Sequence, residues 1–137
     1  MDNLPPLLEK LTFYHKFDHP VDNLPKELKT LIFSGGEFNQ SLDNLPKGLK
    51  TLELQKHYVR GTRFNKSIDN LPPTLEKLVI SDNFNHPVDK LPLTLKEVTI
   101  YSKYKQPSPS YLPNAVINFN RRNRDPFGTM LDKLNAQ

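Results

Sequence analysis

Leucine followed by proline occurs six times in this chain of 137 residues, at Leu4-Pro5, Leu24-Pro25, Leu45-Pro46, Leu71-Pro72, Leu91-Pro92 and Leu112-Pro113. The intervals are 20, 21, 26, 20 and 21 residues. Proline has no backbone N–H and holds φ at about −65°, so it is excluded from helix interiors and from the middle of a sheet. A chain with 13 prolines and only 5 glycines can fold only if those prolines fall where neither a helix nor a ladder is needed. Regular spacing puts them there. The residue ahead of each proline is held extended, so each Leu-Pro pair reads as a bend leading into an extended segment.

The segments after the bends support that reading. Leu11-Thr12-Phe13, Leu31-Ile32-Phe33, Leu52-Glu53-Leu54, Leu78-Val79-Ile80 and Val98-Thr99-Ile100 alternate over a few residues, the pattern of short strands with one face inward. Successive copies run in the same direction, so the strands pair in parallel. Leu24, Leu28, Leu31, Phe33, Phe38 and Leu42 form the inward set of one coil. Such a set is covered only when another coil lies above or below, so the copies fold together. A fixed period of 20 to 29 residues built on leucines is the mark of a leucine-rich-repeat-type solenoid. The expected fold is therefore a β-rich, leucine-rich-repeat-like solenoid of about five coils of 20–21 residues. It carries a short parallel sheet and a degenerate C-terminal coil at Leu112-Pro113-Asn114-Ala115-Val116-Ile117-Asn118-Phe119. The solenoid spans 1–120. A basic segment, 121–137, belongs to the same domain: Asp125-Pro126 starts a helix, and Phe127, Met130, Leu131 and Leu134 give it one apolar stripe to cap the open end.

Composition narrows the chemistry. The absence of cysteine removes disulfides, thiolate metal sites and cysteine nucleophiles. No apolar run approaches the roughly 18 residues of a membrane span, and the opening Met1-Asp2-Asn3-Leu4-Pro5 has no secretory pattern. No phosphate-cradling, nucleophile-elbow or zinc-helix motif is present. His19 and His86 share a repeat position with Gln40, Lys66 and Gln106, so that position asks only for polarity. The recurring Asn39, Asn65 and Asn85, and Asp22, Asp43, Asp69 and Asp89, are read as turn residues that bond backbone at every level. The expectation is a non-enzyme with no cofactor, no metal and no catalytic residue, placed in the cytoplasm.

Binding is the favoured class, with a protein as the partner. The outward positions of consecutive strands form three columns: Lys10, Thr30, Thr51, Lys77 and Glu97; Thr12, Ile32, Glu53, Val79 and Thr99; Tyr14, Ser34, Gln55, Ser81 and Tyr101. Exposed Ile32 and Val79 bracketing Glu53, with Tyr14 and Tyr101 at the ends, make a candidate contact patch. The third copy also carries an insertion between Leu54 and Phe64, whose His57, Tyr58 and Arg60 are a second candidate surface. The bland readings are that β-branched residues suit strands whichever way they point and that loops tolerate insertions. Nucleic acid is the rival class, resting on a net charge of +4 and on Arg121-Arg122-Asn123-Arg124, but no aromatic platform interleaves those arginines. A repeat that folds but has no partner is the third reading. The weak first copy leaves an edge that could pair with a second chain.

The motif itself resembles a known family. The opening Phe-Asn-x-[Pro/Ser]-aliphatic, as in Phe84-Asn85-His86-Pro87-Val88, leads into Leu-Pro-x-x-Leu-[Lys/Glu], as in Leu91-Pro92-Leu93-Thr94-Leu95-Lys96. This is similar to the FNIP repeat, abundant in social amoebae and in giant DNA viruses of amoebae, and the likeness covers roughly residues 2–120. It implies a leucine-rich-repeat-like fold and, for a viral member, residence in the host cytoplasm. Many members join the repeats to an N-terminal F-box, which implies substrate recognition for a ubiquitin ligase. This chain departs from that plan by opening inside a repeat at Asp2-Asn3-Leu4-Pro5.

Overall fold

The computed structural model describes residues 3–55, 62–80 and 83–101 and the backbone of 116–120. It shows one six-stranded parallel sheet in sequence order, β1 (Lys10–Tyr14), β2 (Thr30–Ser34), β3 (Thr51–Leu54), β4 (Lys77–Ile80), β5 (Glu97–Tyr101) and β6 (Val116–Asn120). Each strand sits beside its predecessor, so the chain climbs one coil per repeat as the spacing predicts. Among the described residues there is no helix; the capping helix expected within 121–137 lies outside them, as do 112–115 of the degenerate copy.

The bend before each strand is a tight turn. The N–H of the second leucine in Leu-Pro-x-x-Leu donates to the proline carbonyl, from Leu8 to Pro5 at 3.1 Å, Leu28 to Pro25 at 3.2 Å and Leu75 to Pro72 at 3.2 Å. Proline therefore occupies the first turn position, where only its carbonyl is needed. The second proline of Pro5-Pro6 and Pro72-Pro73 fills the next position, which its fixed φ suits. The carbonyl just ahead of the strand then joins coil to coil: that of Glu9 accepts the N–H groups of Lys29 and Thr30, and that of Lys29 those of Lys50 and Thr51.

The inward residues of coils 2 to 5 form one core. Leu28, Leu49 and Leu75, the leucines that close the turns, are fully buried, as are Leu31, Leu52, Leu78 and Val98 on the strands. Along one side runs a spine of phenylalanines. Phe17, Phe38, Phe64 and Phe84 stack at ring-centroid spacings of 6.3, 6.0 and 6.1 Å with planes 13°, 9° and 9° apart. That spacing lies inside the favourable range for aromatic pairs, about 4.5–7 Å. Coil 1 is different. Its equivalents Leu4, Leu8, Leu11, Phe13 and Phe17 are only partly buried, because among the described residues a coil packs on one side of them.

The polar columns are ladders between coils. Asn39 N–H donates to Asp18 Oδ1 at 2.9 Å, Asn65 N–H to Asn39 Oδ1 at 3.0 Å and Asn85 N–H to Asn65 Oδ1 at 3.0 Å. In a second ladder Asn44 Nδ2 donates to Asp22 at 3.0 Å and Asn70 Nδ2 to Asp43 at 3.1 Å. The aspartates thus have amide donors between them. Where proline is absent from the Phe-Asn-x-[Pro/Ser] motif, the serine hydroxyl takes over locally: Ser41 Oγ accepts Asp43 N–H and Ser67 Oγ accepts Asp69 N–H.

Candidate interaction surface

The register places the outward residues in the columns that alternation predicts. Lys10, Thr30, Thr51, Lys77 and Glu97 are successive partners, as are Thr12, Ile32, Glu53, Val79 and Thr99, and Tyr14 pairs with Ser34. Alternation sends these side chains away from the core. Most are half-buried, whereas Lys10 and Tyr14 are exposed, Tyr14 at 62%.

Glu53 is the electrostatic centre of the face. Its carboxylate takes Lys77 Nζ at 3.0 Å and Gln55 Nε2 at 2.6 Å, and its side chain is only 14% exposed. The hydrogen bond and the charge of Glu53 raise the Lys77 pKa, with Glu97 and Tyr101 adding to the effect. An ion pair held this way on a half-covered sheet is better fixed than a pair of free surface side chains. Lys77 and Gln55 thus join the site; sequence reading has both in the outward columns but only Glu53 of the three in the candidate patch, and the signal was present, since a lysine one coil and two residues away on the same face is a diagonal neighbour.

One expectation is corrected. Val79 does point outward, but it is 8% exposed and does not present an open apolar surface. It lies between Glu53 and Thr99 in register and shares strand β4 with Lys77, whose chain folds toward Glu53. Stacked parallel strands bring side chains from both neighbours over a small valine, which alternation along one strand does not reveal. Ile32, flanked on its own strand by the short Thr30 and Ser34, is half-buried and keeps apolar surface in reach.

His57, Tyr58 and Arg60 of the insertion lie outside the described residues, and so does Ser81. The two ends of the insertion are placed. Gln55 N–H donates to the Phe33 carbonyl at 2.9 Å, and Arg63 N–H donates to the Gly36 carbonyl at 2.7 Å. Arg63 also pairs with Glu37 at 3.1 Å, and Thr62 is buried, its carbonyl accepting from the Asn83 amide. Coil 2 meets these anchors with Gly35-Gly36. Gly36 has φ of 80°, and a Cβ on Gly35 would run into the backbone of His15 one coil below. Among the described residues no group of three or more His, Asp or Glu side chains is placed to hold a metal ion. No helix among them is long and apolar enough to cross a membrane.

Known proteins agree with this architecture. The family model for the FNIP Repeat matches residues 17–57. Among solved structures, the chain is similar to CroV588, described as a novel circular LRR protein, with a TM-score of 0.66 and 30% sequence identity. The alignment covers 85% of this chain and 18% of that one, so residues 1–137 span less than a fifth of that protein's length. No curated protein matches. Phe17, Phe38 and the ladder of Asp18 and Asn39 all fall inside the matched span, which gives the family's sequence signature a physical meaning: ring stack, amide ladder, bend. Residues 17–57 thus carry the FNIP repeat, and the chain that bears them is a leucine-rich-repeat-like β-solenoid.

Proposed function

We propose that this chain is a non-catalytic protein-interaction module whose partner docks on the outward face of the sheet, centred on Ile32 and Glu53 and reaching Tyr14 and Tyr101. One contrast carries the reading. Positions that hold the stack recur from coil to coil: phenylalanine in the spine, Asp or Asn in the ladders, leucine in the turns. Outward positions vary more from coil to coil: the first column mixes lysine, threonine and glutamate, and the central column reads Thr12, Ile32, Glu53, Val79, Thr99. A surface that the fold requires repeats; a surface free to vary can fit one partner. The face also combines an open tyrosine, an accessible isoleucine and a fixed ion pair, the mixture of anchors and specific polar contacts that protein interfaces use. The likeness to CroV588, described as a circular LRR protein, supports the repeat architecture on which this face is built.

The test places a photo-crosslinking phenylalanine analogue at position 32, and as a control at position 27 on the turn side. A partner captured only from position 32 is then purified and titrated against the natural chain. Ile32→Asp, with the fold verified by circular dichroism, should weaken that binding at least tenfold, about 1.4 kcal/mol. Equal capture from both positions, or binding unchanged by Ile32→Asp, contradicts the proposal. Val79 is left alone, since a carboxylate at a covered position would act through the fold.

A further inference from the structure

We infer that the bends of coils 2 and 3 form a second binding site, in which Lys26, Lys29, Lys47 and Lys50 take the phosphate of a phosphorylated peptide segment. The site stands apart from the outward face, takes a different protein, and does not depend on what docks there.

Register brings the four lysines together. The pairing that sets Thr30 beside Thr51 also sets Lys26 beside Lys47 and Lys29 beside Lys50, one coil apart in two adjoining rows. Like charges stacked in this way repel. Higher in the second row an acid relieves the repulsion: Glu76 lies between Lys50 and Lys96 and is bonded to them at 3.2 and 3.1 Å. Coils 2 and 3 have no such remedy. Among the described residues Lys26, Lys29 and Lys47 form no ion pair, although Glu27 sits in the same bend and Glu9 one coil below Lys29. The Lys29 ammonium leans instead onto the next bend, 3.1 Å from where a Cβ on Gly48 would stand, and Gly48 lies between Lys47 and Lys50 in the chain. Coils 4 and 5 carry threonine at that place, bonded to carbonyls of the coil below. Glycine leaves it open.

The extent of the patch selects its ligand. Glu9 and Glu76 bound the second row, and the exposed Pro6 and Pro73 bound the first. The positive charge therefore covers one step of the stack, about 5 Å, whereas a nucleic acid or a lipid surface presents its charges along a line or a plane. A phosphomonoester gathers nearly two negative charges and three acceptor oxygens at one point. That matches converging ammonium groups, most of which a single carboxylate would leave unanswered. Apolar surface flanks the charge on both sides. Leu7 in coil 1 and Leu93 in coil 5 are 77% and 69% exposed, and with Tyr14 they are the exposed large hydrophobics among the described residues. Both belong to the same series of bends. From a phosphate seated between coils 2 and 3 they lie about 7 and 12 Å along the stack, close to the roughly 10 Å that three extended residues span. The ligand is thus an extended segment with leucine three residues before and three residues after the phosphorylated one.

The test titrates the full chain into a fluorescein-labelled peptide, leucine, two alanines, phosphoserine, two alanines, leucine, and reads fluorescence polarisation. Comparisons are the same peptide with serine, the same peptide with glutamate, and a labelled oligothymidine. The phosphopeptide should bind saturably and at least about tenfold tighter than any of the three. Lys26→Ala with Lys47→Ala, both at exposed positions, should weaken it at least about tenfold with circular dichroism unchanged. Glu27→Gln should tighten it, since the acid within the patch is removed, an effect that no purely structural role predicts. Leu93→Ser should weaken the leucine-bearing phosphopeptide and leave a version with alanine for both leucines unmoved. Absence of binding up to about 1 mM, equal binding of any comparison molecule, or an affinity insensitive to the lysine pair, to Glu27→Gln or to Leu93→Ser would each overturn the inference.

Discussion

Single residues in this solenoid are best judged against their counterparts in other coils. Thr74 Oγ1 lies 2.7 and 2.8 Å from the carbonyls of Lys47 and Leu49, and Thr94 repeats the arrangement on Pro73 and Leu75. Gly48 occupies the same position in coil 3, where Lys29 Nζ lies 3.1 Å from the place a Cβ would take. A flexible lysine tip moves aside readily, so Gly48→Thr should stabilise the fold by about 1 kcal/mol, from reduced unfolded-state freedom and one added hydrogen bond. Urea titration checks this, and a midpoint at or below that of the natural chain would contradict it. Asp18 offers a pH test. Its carboxylate accepts the Asn39 N–H and then the Gln40 amide, and these bonds hold its pKa below the ordinary 3.8. A depressed folded pKa contributes stability that is present above the unfolded value and lost as pH falls through the folded one. Asn39 already plays the same role for Asn65 with a neutral side chain. Asp18→Asn should therefore keep the ladder at neutral pH and flatten the loss of stability below about pH 4; an unchanged acid slope would contradict it.

At the scale of the element, position in the stack decides what a side chain is worth. Phe64 is fully buried, with rings about one coil away on both sides; Phe17 has such a neighbour on one side and is half-buried. Phe64→Ala should cost about 3–5 kcal/mol and Phe17→Ala about half as much, read from urea midpoints with slopes compared. Equal costs would mean that coil 1 is covered as well as the middle coils. The strands and their register were legible in the sequence because inward Leu31, Leu52 and Leu78 recur at one offset from each Leu-Pro bend, and a one-residue slip would turn them to water. The ladders were legible only in part. Asn39 and Asp22 read as turn residues, yet the partners of their side chains, Asn65 and Asn44, lie 26 and 22 residues on, in the next coil. Local spacing cannot reveal a bond across that distance. Val79 was legible as outward but not as covered, since coverage comes from strands whose side chains alternation does not describe.

For the whole molecule, the stacking of incomplete units is the governing fact. Each coil exposes on both sides apolar surface that only another coil can cover, and the phenylalanine spine, the amide ladders and the paired carbonyl bonds all run from coil to coil. Surface pairs such as Lys50 and Lys96 on Glu76 add little, being open to solvent. The outward face is the side of the sheet that this stacking leaves free, which is why a binding role is assigned to it. Hydrogen exchange under rising urea tests the stacking claim most directly, amide by amide. The account predicts that amides of β2, β3, β4 and β5 converge on one opening free energy equal to that of global unfolding, with β1 opening below them. Coils that opened independently, each with its own free energy and its own urea dependence, would contradict it.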